Sequence, residues 1–398
     1  TPPLAERMRR LGTETAFAVS GEAAQFAAAG HTVYPFHLGD LDLKTPQNII
    51  DAAYRAANEG KTGYCPNAGI PALRTALAED LNRSHGTHYA MDNVAIQPGG
   101  KPTIGKLILA TMNPDDEVLY PNPGFPIYES QIEFNGGKAA PYGFIAGEQN
   151  FEIDLARLKD SITPKTRMLI YNNLQNPTGA ESQDEEMEAI AELACRHDLV
   201  VLSDDAYFDI RYEGKTRSIA SLPGMEERTV VLYTFSKKYA MTGWRIGGAA
   251  GPEEWIAAII RINVNDESCT NHFVQYAAIE ALTGDQSGHR HILEVLHERR
   301  DVIVDCLNDI PGVHCYRPNT TFYVYPDVTE LMSNKGFDDY EQFRRAVMRA
   351  TGVSFCARIH FGRPLPGEDR RYIRLAYSGI SAEKIREGLA RMKAWAEE

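Results

Sequence analysis

Between about residues 45 and 285 the chain alternates short apolar runs with amphipathic stretches. Val94–Gln97, Glu117–Tyr120, Arg167–Tyr171, Leu199–Ser203 and Val230–Tyr233 read as strands. These runs are rich in Val, Ile and Leu and do not alternate with polar positions, which is the pattern of strands buried on both faces of a parallel sheet. Ile104–Thr111, Ile127–Phe134 and Asp184–His197 read as helices between them, the last with Met187, Ile190, Ala191 and Ala194 on one apolar face. The alternation predicts an α/β domain whose mostly parallel sheet is flanked by helices.

After Pro252 the texture changes. Helical patterns run through Asn308, and a shorter mixed region follows. There, strands are expected near Val313–Cys315, Thr321–Tyr325 and Tyr372–Tyr377, with helices over Asp338–Ala350 and from Ser381. This predicts a second, smaller α+β domain, with the helical stretch Ile292–Leu307 as the connection.

Charge narrows the function classes. Lys and Arg number 41 against 54 Asp and Glu, a net charge of −13 over 398 residues. So acidic a chain does not suit nucleic acid or anionic lipid, which need basic patches. It leaves room for a small anion held in one pocket. No apolar stretch approaches the length of a membrane helix. Thr1–Arg7 has no apolar core of a secretory signal. The six cysteines form no CxxC and no zinc-like spacing with His, so neither a disulfide framework nor a metal site is expected. Scattered free cysteines suit a reducing cytoplasm.

Four polar or glycine-rich segments each follow a predicted strand: Pro98–Lys101, Pro121–Phe125, Asn176–Gly179 and Asp204–Tyr207. In open α/β sheets ligands bind outside the carboxyl ends of the strands, so the four together mark a site. Gly99-Gly100-Lys101 leads into a helix, where backbone N–H groups meet anions. It is not a Walker loop, because Ala95 stands where the first glycine belongs. Gly60-Lys61-Thr62 and Gly214-Lys215-Thr216 fail the same test at Arg55 and Asp209.

A fifth segment, Tyr233–Gly247, again follows a strand. Thr234, Ser236 and Arg245 suit a phosphate, and Lys237 among them presents an amine. An amine beside a phosphate site points to a carbonyl cofactor held through that amine. Ser236-Lys237 followed by Gly243-Trp244-Arg245 and Gly247, with Asn176-Pro177-Thr178-Gly179 and Asp204-Asp205-Ala206-Tyr207 upstream, resembles the class I/II aminotransferases of pyridoxal phosphate fold type I. The resemblance runs from Gly39 to Arg374. It implies a large cofactor-binding α/β domain over 45–285 and a discontinuous small domain from 1–44 and 286–398.

The resemblance also implies roles. Lys237 is the lysine that carries pyridoxal 5′-phosphate and shuttles the substrate proton. Asp204 meets the ring nitrogen, Tyr207 and Asn176 the ring oxygen, and Phe125 the ring face. Gly99, Gly100, Lys101, Thr234, Ser236 and Arg245 hold the phosphate. Tyr64 reaches the phosphate of a partner subunit, which makes the active unit a homodimer. Arg374, with the backbone of Gly39, grips the substrate carboxylate. Asp205 is expected to be structural and Lys238 a surface lysine.

The substrate is an amino acid, with aspartate or glutamate favoured, and the acceptor a 2-oxo acid. In some members of this family the lysine matching Lys101 reaches a distal carboxylate. Here Glu14 lies near that place, and four readings stand: repelling the distal carboxylate, pairing with Lys101, receiving a cationic substrate side chain, or facing solvent. Arg358, His360 and Arg363 either add positive charge to the pocket or lie on the surface. Alternatives are a C–S lyase, decarboxylase or amino-acid oxidase on the same cofactor, or transfer from basic or aromatic amino acids. A transcription regulator built on this fold is disfavoured, because the fold begins within the first forty residues.

Overall fold

The computed structural model describes Pro2–Glu398; Thr1, counted above with the small domain, lies outside the described residues. Seven strands form the main sheet: β1 Val94–Gln97, β2 Glu117–Pro121, β3 Lys138–Tyr142, β4 Thr166–Tyr171, β5 Val200–Asp204, β6 Thr229–Thr234 and β7 Gly247–Ala250. Their spatial order is β1-β7-β6-β5-β4-β2-β3. Only β7 runs antiparallel to its neighbours β1 and β6; the other pairs are parallel.

Both faces of this sheet are buried, as its unalternating strands require. Met168, Ile170, Val200, Leu202, Val230 and Leu232 pack on one face against Ile104, Leu107, Ile108, Ile256 and Ile259. Leu119, Leu169, Tyr171 and Val201 pack on the other against Met187, Ile190, Ala191 and Ala194. Each such Leu or Ile contributes roughly 1.5–3 kcal/mol by leaving water. The helix Asp184–Arg196 opens on Asp184, Glu185 and Glu186, which complement its positive N-terminal dipole.

A second apolar core joins Tyr34 and Phe36 to Ile292, Leu296 and Val304 of the long helix Ser287–Asn308, and to Phe343, Leu375 and Leu389. Beside it lie the short strands β8 Tyr323–Val324, β9 Cys356–Ala357 and β10 Ile373–Ala376. The strand expected at Val313–Cys315 is absent: only His314 makes an isolated bridge, to Asp327. The strand expected over Thr321–Tyr325 shortens to two residues, because Thr321 adopts a left-handed φ of 61° that breaks extended pairing. One strand, β7, has no hydrophobic signature. Its Gly247 packs so close that a Cβ would lie 2.6 Å from the Tyr233 carbonyl oxygen.

Candidate active site

β2, β4, β5 and β6 run parallel and end together, so Pro121, Tyr171, Asp204 and Thr234 deliver the following segments to one edge. β1 meets the same edge, and Gly99-Gly100 turns there into helix α1, Lys101–Thr111. A cavity of about 490 Å³ lies at this edge, closed on the far side by Gly39, Tyr323, Phe361 and Arg374. Every site residue expected from sequence lines it except Gly99 and Tyr64. Gly99 stands directly behind Arg245: a Cβ there would come within 2.2 Å of the guanidinium. Tyr64 is 90 % exposed and lies outside the cavity.

Lys237 projects from the turn after β6, and its Nζ donates to the Gly39 carbonyl oxygen at 2.7 Å. Burial drives its pKa down to about 8, helped by the charge of Arg374 and opposed by Asp40. The amine is therefore within reach of its neutral, nucleophilic form near physiological pH.

Asp204, buried at the end of β5, accepts from the Tyr128 hydroxyl at 2.6 Å and from the Ala206 N–H at 3.2 Å. Burial lifts its pKa to about 6, against the pull of those two donors. No cation neutralises it among its described partners. Asn172 supports the same corner, donating to the Asp204 carbonyl at 2.7 Å and accepting from the Asn176 N–H at 3.0 Å. The Tyr207 hydroxyl pairs with that of Tyr323 at 2.7 Å, and burial raises the pKa of Tyr207 well above the usual phenol.

On the phosphate side, the Thr234 and Ser236 hydroxyls are 2.9 Å apart. Arg245 takes a left-handed φ of 54° and donates to the Thr242 carbonyl at 2.7 Å. Lys101 opens α1, but its ammonium turns away to pair with Glu14 and sits 5.4 Å from the centre of the Phe125 ring. Of the four readings for Glu14, the structure therefore places it on Lys101.

Arg374 is 4 % exposed, in the middle of β10. Its guanidinium donates to Asn176 Oδ1 at 3.0 Å and to the His37 carbonyl at 2.8 Å. It lies between the Tyr323 and Phe361 rings, at 4.4 and 4.6 Å. Among the described residues its Nε has no partner, and none of its partners is a carboxylate. A buried cation left without a counter-ion is a site for an anion.

Lys238 is not a surface lysine: its side chain is 12 % exposed and pairs with Asp209 at 3.1 Å. Asp205 is structural as expected, accepting from Ser203 at 2.8 Å and meeting His85 Nε2 at 3.1 Å. Arg358 is neither on the surface nor in this pocket. It is 2 % exposed, held by Glu368 and Asn122, and lines a separate cavity of about 500 Å³. Arg363 is at the surface, on Glu129 and Glu133. His360 does line the site, but burial holds it below its ordinary pKa, so it brings no charge there near neutral pH.

Tyr128, Tyr323, Asn172 and Phe361 escaped the sequence reading. Tyr128 had a findable signal, three residues after Phe125 and in the first turn of the helix Ile127–Phe134. The two rings meet edge-on at 5.7 Å.

The model of the family described as aminotransferase class I and II matches residues 32–392. The chain is 34 % identical to an aspartate aminotransferase of Bacillus subtilis over 398 residues, covering 99 % of both chains. It is 36 % identical to an aspartate/prephenate aminotransferase of Cereibacter sphaeroides, covering 98 % of both. Among solved structures, the aspartate aminotransferase of Thermus thermophilus with maleate superposes with a TM-score of 0.91 at 31 % identity, over 99 % of this chain and 100 % of that one. With the order of its motifs and the architecture of its cavity, the chain belongs to the class I and II aminotransferases.

Proposed function

We propose that this aminotransferase uses pyridoxal 5′-phosphate to move the α-amino group of an L-amino acid, aspartate or glutamate favoured, to a 2-oxo acid in two half-reactions. One observation carries the reading: a depressed amine, Lys237, a buried carboxylate, Asp204, and a guanidinium without a counter-ion, Arg374, face one cavity.

The residues fit the cofactor. Gly99 leaves the Arg245 guanidinium its place, and Thr234, Ser236 and the backbone N–H groups opening α1 add donors for a phosphate dianion. Asp204, partnered only by neutral donors, suits a protonated ring nitrogen. Phe125 offers a ring face, and Asn176 and Tyr207 offer hydrogen bonds to the ring oxygen. The cofactor, when bound, supplies an electron sink that makes the substrate Cα proton removable.

The chain does the rest. Arg374 receives the α-carboxylate through its free Nε, with Asn176 and His37 fixing the plane of the guanidinium. Gly39 has no room for a side chain, since a Cβ there would lie 2.0 Å from the Tyr323 hydroxyl, and in this reading its backbone faces that carboxylate. Lys237 Nζ is placed to take the proton from Cα and, with the cofactor bound, would carry it on within the site; its pKa near 8 suits that role. Asp204 stays ionised to hold the ring nitrogen's proton.

The active unit in this reading is a cytoplasmic homodimer, with the exposed Tyr64 reaching the phosphate of the neighbouring subunit. The large domain is 45–285, and 1–44 with 286–398 forms the small one. Adding L-aspartate to the loaded enzyme should shift the cofactor's visible absorbance, and 2-oxoglutarate should restore it. Continued release of ammonia or peroxide without an oxo acid would instead identify a lyase or an oxidase.

A further inference from the structure

We propose that Glu14 is a built-in competitor for the side-chain carboxylate of dicarboxylic substrates, and so sets how strongly the site prefers acidic over neutral side chains. The proposal rests on the aminotransferase reading above.

Four cations line the cavity: Lys101, Lys237, Arg245 and Arg374. Three have no acidic partner among the described residues. Lys237 donates to the Gly39 carbonyl, Arg245 to the Thr242 carbonyl, and Arg374 to Asn176 and the His37 carbonyl. These three are committed to the reacting amine, the phosphate and the α-carboxylate. Lys101 is the cation left over for a second carboxylate, and it alone is already paired, with Glu14.

The pair is held in place from both sides. Glu14 belongs to the segment that enters the helix Ala16–Ala28, and that segment is pinned where the Gly12 N–H donates to Ser130 Oγ at 2.9 Å. Lys101 opens α1, with its ammonium over the Phe125 ring. The Glu14 side chain is 17 % exposed against 45 % for Lys101, so the carboxylate is the more sheltered member and lines the cavity. A substrate with one carboxylate enters beside an intact pair. A dicarboxylate must either displace Glu14 from Lys101 or sit against a like charge. Recognition of the second carboxylate is thus an exchange of one carboxylate for another on Lys101, not a gain of a free cation.

The test uses the cofactor-loaded full chain and two ligands of four carbons, succinate and butyrate, which differ by one carboxylate. Dissociation constants are read by calorimetry. Glu14→Gln should tighten succinate about three- to tenfold and move butyrate less than twofold. Adding Lys101→Gln to that variant should cancel the gain. An unchanged succinate-to-butyrate ratio in Glu14→Gln overturns the proposal, as does equal tightening of both ligands, which would mean a merely wider entrance. Arg374→Ala separates the two levels. If it weakens both ligands while Glu14→Gln does nothing, the competitor fails alone; if it weakens neither, the reading of the site fails with it.

Discussion

The Tyr128 hydroxyl donates a 2.6 Å hydrogen bond to Asp204 Oδ2, from a tyrosine that is itself fully buried. This bond opposes the burial that lifts Asp204 to about pH 6. A buried bond to a charged group contributes about 1.5–3 kcal/mol. Tyr128→Phe should therefore raise the dissociation constant for pyridoxal 5′-phosphate about tenfold, measured by equilibrium dialysis, and leave the fold intact by circular dichroism.

Asp204 also gives the cofactor a pH dependence of known sign. Its carboxyl is raised to about 6, so it is ionised above that pH and neutral below it. Cofactor affinity should be flat above pH 6 and fall as the pH drops through it. Asp204→Asn should bind weakly at every pH and lose that inflection.

Reconstitution rate reports on Lys237. With its pKa near 8, the neutral amine increases about tenfold per pH unit up to that value and then levels off. The rate of covalent attachment after mixing chain and cofactor, followed by visible absorbance, should trace the same curve. Lys237→Ala should show no attachment, whereas Lys238→Met should attach at the parental rate.

Arg374→Ala should cost amino-acid affinity while sparing the cofactor. Losing a buried charge-assisted grip removes about 2–4 kcal/mol, so KM for aspartate should rise at least thirtyfold with the cofactor spectrum unchanged.

Asp209 and Lys238 make a stability prediction. Burial raises the Asp209 carboxyl, but Lys238 and His289 outweigh it, and the net pKa lies below the ordinary value. Such a group stabilises the fold above the unfolded carboxylate pKa, and that support disappears as the pH falls below about 4. Asp209→Ala leaves Lys238 largely buried and alone. It should cost about 3 kcal/mol at pH 7 by urea denaturation, with little loss at pH 3.

The parallel strands were readable because both their faces are buried, so Val94–Gln97 and Leu199–Ser203 carry unbroken apolar runs. The residues after them were readable because their chemistry is rare: a glycine pair, an Asn-Pro, an Asp-Tyr pair and a lysine flanked by hydroxyls. β7 was not, since close packing demands glycine and alanine there and erases the hydrophobic signature. Tyr128 and Tyr323 were not, because their hydroxyls find Asp204 and Tyr207 only across the fold, at separations of 76 and 116 residues. Lys238 and Arg358 were misplaced for the same reason: their counter-ions Asp209 and Glu368 are chosen by tertiary packing, which a local pattern of charge does not record.

The hydrogen bonds of Arg374 reach back 198 residues to Asn176 and 337 residues to His37. Every residue proposed to hold the cofactor within one subunit lies between Gly99 and Arg245. During synthesis, therefore, the elements of the cofactor site leave the ribosome well before the substrate grip exists. A chain stopped short of β10 would carry all of its own residues for pyridoxal 5′-phosphate yet have no guanidinium for an amino acid. Amino-acid binding thus reports that the last strand has docked, a quality check that cofactor binding alone does not provide.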